Sequence, residues 1–282
     1  MTTPLEDVQW IRGAPDCATS TGPLIQSHQL DEDTFILRVS KCFSYEGNFL
    51  YLMFGRERAI LFDTGGQPDD AGSGKKLPVR KTVDEIIAQW QQARGVGVID
   101  LIVAHTHSHS DHAFWDGQFV GRPNTTVVKP TLASVTTFFG LTGWPEGQSE
   151  LKLGGRVLTV LPLPGHENSH IAVHDGRTKA ILTGDTLYSG LLTVSDWPSY
   201  RRSAARLAEF AGKNEISHVL GCHIEMKKTP RELYPIGSTY QPDEHALPLT
   251  VAHIREWHAA CEAMGTSPHR DDIHDDFIIR IA

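Results

Sequence analysis

The chain has 282 residues, 40% hydrophobic and 21% charged, with 26 Lys and Arg against 34 Asp and Glu and a formal net charge of −8. This is an ordinary globular composition, long enough to bury about three quarters of the unfolded surface, and its acidic balance argues against nucleic acid as the main partner. No basic start with a following apolar run opens the chain and no stretch approaches the ~20 apolar residues that span a bilayer, so no membrane partner and a cytoplasmic location are expected.

Residues 1–30 read as an irregular extension, punctuated by Pro4, Gly13, Pro15, Gly22 and Pro23. Strands are predicted at 34–39, 49–54 and 59–63, the last two forming a hairpin around G-R-E-R. A polar loop covers 67–80. The helix predicted at 81–94 places Val83, Ile86, Ile87 and Trp90 on one face. A buried strand follows at 99–104, then strands at 125–129, 156–161, 179–183 and 216–220. Helices are predicted at 131–139, 199–212 and 248–264. The inner face of 199–212 is Ala204, Leu207, Ala208 and Ala211. The region 226–282 reads as a short helical extension ending in a polar, acidic tail. No linker or composition shift divides the chain, so one domain is expected, with strands and helices alternating as in two stacked sheets with helices outside. The four cysteines, Cys17, Cys42, Cys222 and Cys261, are scattered without a C-x-x-C pair, which predicts no disulfide framework. Cys222 reads as a small buried residue at a strand end rather than a nucleophile.

The chemistry concentrates at residues 105–112, His-Thr-His-Ser-His-Ser-Asp-His, immediately after the strand at 99–104. His107, His109, Asp111 and His112 form H-x-H-x-D-H, a spacing in which side chains can face two neighbouring centres. Imidazole and carboxylate donors suit zinc and similar metals. A non-specific surface histidine tract is the bland alternative; the strand before it and the fixed acid favour a built site. His105 falls outside the frame and is expected to pack or to support the ligands. Four more strand ends carry Asp or His: Asp63 after 59–63, His166 in L-P-L-P-G-H-E-N-S-H, Asp185 in L-T-G-D-T-L-Y, and His223 after 216–220. Each alone reads as a turn or surface residue. Jointly, five His and two Asp are too many for one tetrahedral zinc and suit two metals sharing a carboxylate.

This ordered set resembles the metallo-β-lactamase-fold hydrolases over about residues 34–225. The resemblance implies an αβ/βα four-layer sandwich, two mixed β-sheets flanked by helices, with metals at one edge. It implies that His107, His109 and His166 hold one metal and Asp111, His112 and His223 the second, with Asp185 bridging and Asp63 orienting ligands. The implied cofactors are two zinc ions, with iron or manganese as alternatives. The implied reaction is attack of a metal-bridging hydroxide on a small-molecule ester, lactone or thioester, with Asp111 also placed to orient the nucleophile.

Within that family, Asp185 as bridge resembles glyoxalase II, the lactonases and RNase Z rather than exported β-lactamases. Tyr188, three residues on, matches a tyrosine that contacts the substrate carbonyl in acyl-homoserine lactonases; a packing role is the alternative. The stretch after His223 is short for a glutathione-binding helical domain. A persulfide dioxygenase using one iron, a phosphodiesterase of the same fold and a non-enzymatic metal scaffold are the competing readings. Trp115, Phe138, Phe139 and Trp144 read as core, or as an apolar wall to the site. Lys227 and Lys228 read as a solvated loop, and the tail 267–276 as a surface acidic run. A homodimer is left open.

Overall fold

The stretch Phe49–Phe54 is apolar at every position because both of its faces are covered. In the computed structural model, which describes residues 3–268 and 271–281, it is the third strand, β3. Phe49, Tyr51 and Met53 pack on one side with Leu158, Val160 and Val173 of a second sheet. Leu50, Leu52 and Phe54 pack on the other with Val83, Ile86 and Ile87 of helix α1 (Val79–Arg94). The ring of Phe54 stacks on Trp90 of that helix, centroids 4.6 Å apart. Alternation of side chains across the pleat thus builds two cores from one continuous run.

The first sheet has the order β1 (Ile25–Asp31), β2 (Thr34–Val39), β3, β4 (Arg58–Phe62), β5 (Asp100–Ala104), β6 (Thr125–Val127). β4, β5 and β6 run parallel, and α1 makes the crossover between β4 and β5. Short helices α2 (Ser110–Ala113) and α3 (Leu132–Phe139) flank β6 in sequence. The second sheet contains β7 (Ser149–Lys152), β8 (Val157–Pro162), β9 (Ile171–Asp175), β10 (Ala180–Gly184), β12 (His218–Gly221) and β13 (Pro248–Leu249), in the order 13-12-10-9-8-7. Its outer face carries Leu161, Ala172, Ile181 and Val219, covered by helices α4 (Trp197–Lys213) and α5 (Val251–Met264) through Ala204, Leu207, Ala211, Ile254 and Trp257. The layers are therefore helix, sheet, sheet, helix, as the sequence predicts.

Three predictions need correction. Residues 25–31 are not irregular; they form edge strand β1, whose half-exposed I-Q-S-H-Q-L-D carries no clean alternation. The C-terminal region is not purely helical. Besides α5 it contributes β13 and the strands β14 (Asp272–Ile273) and β15 (Ile278–Ile281), which join β11 (Leu191–Val194) in a third small sheet. Within the tail tract, His269 and Arg270 lie outside the described residues. Finally, Cys17 and Cys42 form a disulfide, Cα atoms 5.1 Å apart. The N-terminal strap folds back across the chain, held by Gln241 N donating to Arg12 O at 2.9 Å, and brings together two cysteines that sequence spacing leaves unrelated.

Candidate metal centre

β4, β5, β8, β10 and β12 all deliver their C-terminal ends to the same edge of the sandwich, and every predicted site residue follows one of them. Asp63 follows β4, the 105–112 tract follows β5, His166 follows β8, Asp185 follows β10 and His223 follows β12. Gly66 is needed beside the tract: a Cβ there would sit 3.0 Å from Asp111 Cα.

Two groups of donors result. In the first, His109 Nδ1 lies 3.0 Å from His107 Nε2 and 3.1 Å from His166 Nε2. In the second, Asp111 Oδ2, His112 Nε2, His223 Nε2 and Asp185 Oδ2 converge. His112 Nε2 is 3.0 Å from Asp111 and 3.3 Å from Asp185. His223 Nε2 is 3.4 Å from Asp111, 3.3 Å from Asp185 and 3.5 Å from His112. A tetrahedral zinc with bonds near 2.0 Å sets its ligand atoms about 3.3 Å apart, so these spacings match ligand shells. Asp185 Oδ2 also lies 3.8 Å from both His107 and His166 Nε2, between the groups. Its Oδ1 is buried with no hydrogen-bond partner among the described residues.

The outer contacts fix which nitrogen faces inward. His166 Nδ1 donates to Thr193 O at 2.7 Å, His223 Nδ1 to Glu46 O at 2.9 Å, and His112 Nδ1 to an Asp63 carboxylate oxygen at 3.0 Å. Each acceptor holds a proton on the outer nitrogen, so Nε2 is the atom left to face a cation, the usual support for a metal-bound imidazole. The donor set therefore fits two cations. The two carbonyls carry no side-chain signal, and sequence reasoning missed them.

Electrostatics separate the rings. Burial, reinforced by the neighbouring imidazoles, holds His107 and His170 well below the ordinary histidine value. Burial works the same way on His112 and His223, but the carboxylates of Asp111 and Asp185 outweigh it and raise both. Burial alone would raise Asp111 and Asp185; the facing imidazoles pull both well below the carboxylate range. The pocket keeps its acids ionised, as metal ligands must be.

Asp63 is fully buried and accepts from Thr106 N at 2.8 Å, Thr106 Oγ1 at 2.9 Å and His112, while Cys222 Sγ donates to it at 3.3 Å. Cys222 is thus a buried support, as predicted. His105 is buried and pairs with Asp116 at 2.8 Å, away from both donor groups. Tyr188 packs 5.7 Å from the His223 ring, and its hydroxyl is engaged by Leu191 O at 2.9 Å and Glu225 at 3.0 Å. Phe138, Phe139 and Trp144 pack into the inter-sheet core. Trp115 packs on the first sheet's outer core and donates to Gly66 O at 2.7 Å. Lys227 is engaged by Glu232 at 2.8 Å. A cavity of about 340 Å³ adjoins the centre, bordered by Tyr45, Glu46, Gln67, Asp69, Ser110 and Asp111.

The sequence profile of the metallo-beta-lactamase superfamily matches residues 46–223, which contain every donor described above. Acyl-coenzyme A thioesterase MBLAC2 of Homo sapiens is 33% identical over 229 residues, 68% of this chain and 77% of that protein. The Gallus gallus protein of the same name is 34% identical over 96 residues, so the matched stretch spans about a third of that relative (34%). A hydroxyacylglutathione hydrolase of Chromohalobacter salexigens is 29% identical over 126 residues, 43% of this chain and 48% of that protein. Among solved structures, a metallo-beta-lactamase from Pontibacter korlensis superposes with a TM-score of 0.53 at 17% identity, covering 84% of this chain and 99% of that one; this likeness bears on fold alone. No helix among the described residues is long and apolar enough to cross a membrane.

Proposed function

We propose, since the chain belongs to the metallo-beta-lactamase superfamily, that it is a metal-dependent hydrolase that cleaves a small acyl thioester at a dinuclear centre. One observation carries the reading: seven donors converge as two shells that meet at Asp185. The second shell is built as completely as the first, which favours two ions over the one-iron dioxygenase alternative. The thioester class is supported by the relatives, whose names specify an acyl group on coenzyme A or on glutathione. A lactone or other activated ester is the alternative substrate.

His107, His109 and His166 would hold one ion and Asp111, His112 and His223 the other, with Asp185 between them. Zinc at such a site supplies hydroxide near neutral pH and polarises a carbonyl oxygen. The chain's own residues do the rest. Thr193 O, Glu46 O and Asp63 hold three imidazoles in one tautomer. Asp111 stays ionised and borders the cavity, where its carboxylate can accept a hydrogen bond from the attacking oxygen and orient it. Tyr188 acts through packing: a substrate contact by its hydroxyl would require the bonds to Leu191 and Glu225 to open.

The test is metal content together with turnover of a thioester, a lactone, a phosphodiester and a β-lactam, with and without chelation. The expected result is about two zinc ions per chain and chelator-sensitive thioester hydrolysis, with Tyr188→Phe changing kcat/KM by less than about tenfold. One bound iron with oxygen uptake, or two zinc ions with no turnover of thioester or lactone, overturns the reading. A larger kcat/KM loss in Tyr188→Phe at unchanged metal content would restore a substrate contact for that hydroxyl.

A further inference from the structure

His170 ends the L-P-L-P-G-H-E-N-S-H motif and belongs to neither donor group. It is fully buried. Its ring lies nearly parallel to that of His107, centroids 4.9 Å apart and planes 22° apart. Its Nε2 accepts from the backbone N–H of Asp185 at 3.1 Å. Gly184, at φ 50°, makes this approach feasible: a Cβ there would sit 2.6 Å from His170 Nε2 and 3.0 Å from Thr106 Cβ. The next residue, Ile171, donates its N–H to Thr106 O at 2.8 Å, on the loop that carries His107. His170 therefore touches both halves of the centre: a ligand ring of the first donor group and the peptide of the residue between the groups.

The hydrogen bond fixes the tautomer. A backbone N–H only donates, so Nε2 carries the lone pair and the ring proton sits on Nδ1. That Nδ1 is buried with no hydrogen-bond partner among the described residues. An unpaired buried donor is costly, and a phenyl ring of similar shape would avoid it. What the imidazole offers over a phenyl at this place is one acceptor, aimed at Asp185.

We propose that His170 is a positioning residue for the metal centre: as a neutral Nδ1–H imidazole it clamps the Asp185 peptide and the His107 ring so that the Asp185 carboxylate lies between the two donor groups. The proposal rests on the reading of the seven donors as metal ligands and is independent of the substrate. Groups that orient ligands in this way typically change metal affinity by about 10–100-fold when removed.

Zinc affinity by chelator competition in His170→Phe and His170→Gln tests it. The first keeps a flat ring and loses the acceptor; the second offers an amide oxygen near the place of Nε2 and loses the ring. His170→Phe should bind zinc about 10–100-fold more weakly, with metal-free melting close to wild type, and His170→Gln should recover most of that loss. Wild-type zinc affinity in His170→Phe, or equal weakness in both variants, overturns the proposal. Should the phenylalanine variant fail to fold, nitrogen-15 spectra of the wild-type histidines decide: a proton on Nδ1 of His170 in the zinc-loaded protein supports the clamp, and one on Nε2 ends it. None of these readouts uses a substrate, so failure of the hydrolase reading and failure of this one remain distinguishable.

Discussion

Asp63 shows how a single residue can be legible in sequence for one reason and placed in the fold for another. Its position at a strand end before Thr-Gly-Gly marks it in the sequence. The structure adds that it stands at φ 67°, in the left-handed region that only glycine, asparagine and aspartate enter at small cost. That backbone turn aims the carboxylate at Thr106 and at the outer nitrogen of His112 instead of into the donor groups. Asp63→Asn is therefore a clean test, because asparagine tolerates the same φ and keeps the volume while losing a charge that secures the His112 tautomer. Zinc affinity should fall about 10–100-fold, measured by chelator competition. An unchanged affinity would mean that Asp63 serves the backbone turn alone. The donor positions were readable because each pairs a chemically distinctive side chain with a strand end. His170 was not, since its role lies in a peptide N–H contact that no side-chain pattern records, and the same holds for the carbonyls of Glu46 and Thr193.

Among the elements, the loop 40–48 does the most for the centre without supplying a donor to it. Asn48 Nδ2 donates to Asp111 at 3.1 Å, and Glu46 O accepts from His223. Lys41 Nζ donates to Tyr45 O at 2.8 Å from a buried position, where burial, with Arg38 beside it, brings its ammonium down to about 8. Cys42 of this loop is joined to Cys17 of the N-terminal strap, and Gly13 of the strap packs against Lys41. The strap, read from sequence as irregular, thus acts as a tie on the loop that supports the second donor group. Its effect was illegible because the two cysteines are 25 residues apart with nothing between them to fix their distance. Replacing both with serine should cost about 3 kcal/mol of stability, read by urea denaturation, from lost restraint on the unfolded chain. It should also weaken zinc binding, because the loop that holds Asp111 and His223 is freed at one end, and incubation of the wild type with a dithiol should reproduce the loss of stability. Full zinc affinity in the double variant would show that Lys41 and the strand contacts hold the loop unaided.

At the scale of the whole molecule, the two sheets meet through a largely apolar core that the alternating and continuous runs of β3, β4, β8 and β10 announce. Less visible is what pins them at the end opposite the metal centre. Arg156, in the turn before β8, is almost fully buried and uses all five of its N–H groups. Nε and one terminal nitrogen donate to Asp175 at 3.1 and 2.7 Å; the others reach Asp33 O, Phe54 O and Thr34 Oγ1 at 2.8, 3.1 and 2.7 Å. The guanidinium thereby joins the end of β9 in one sheet to β2 and β3 in the other. From sequence, Arg156 reads only as the first residue of the strand predicted at 156–161. Burial opposes the Asp175 charge, but Arg156 outweighs it and holds the carboxyl below the ordinary value. The sign follows: a depressed folded-state pKa stabilises the protein above the unfolded value, near 4, and that contribution fades as pH falls through the folded value. Arg156→Met leaves a buried carboxylate without its partner, which costs about 3–5 kcal/mol at neutral pH. In the variant Asp175 keeps its hydrogen bonds from Arg177 N, Thr178 N and Thr178 Oγ1 but loses the guanidinium, so it gains protons more readily than in the wild type and acid relieves the loss. Urea denaturation of metal-free wild type and variant should therefore show a stability gap that is widest at pH 7 and narrows toward pH 4, with Asp175→Asn added to the variant recovering part of the loss at pH 7. Histidine titrations at the other end of the sandwich are common to both proteins and cancel in the difference. A gap below about 1 kcal/mol at pH 7, the worth of an exposed pair, or one that widens on acidification, would show that the apolar core alone sets the packing of the two sheets.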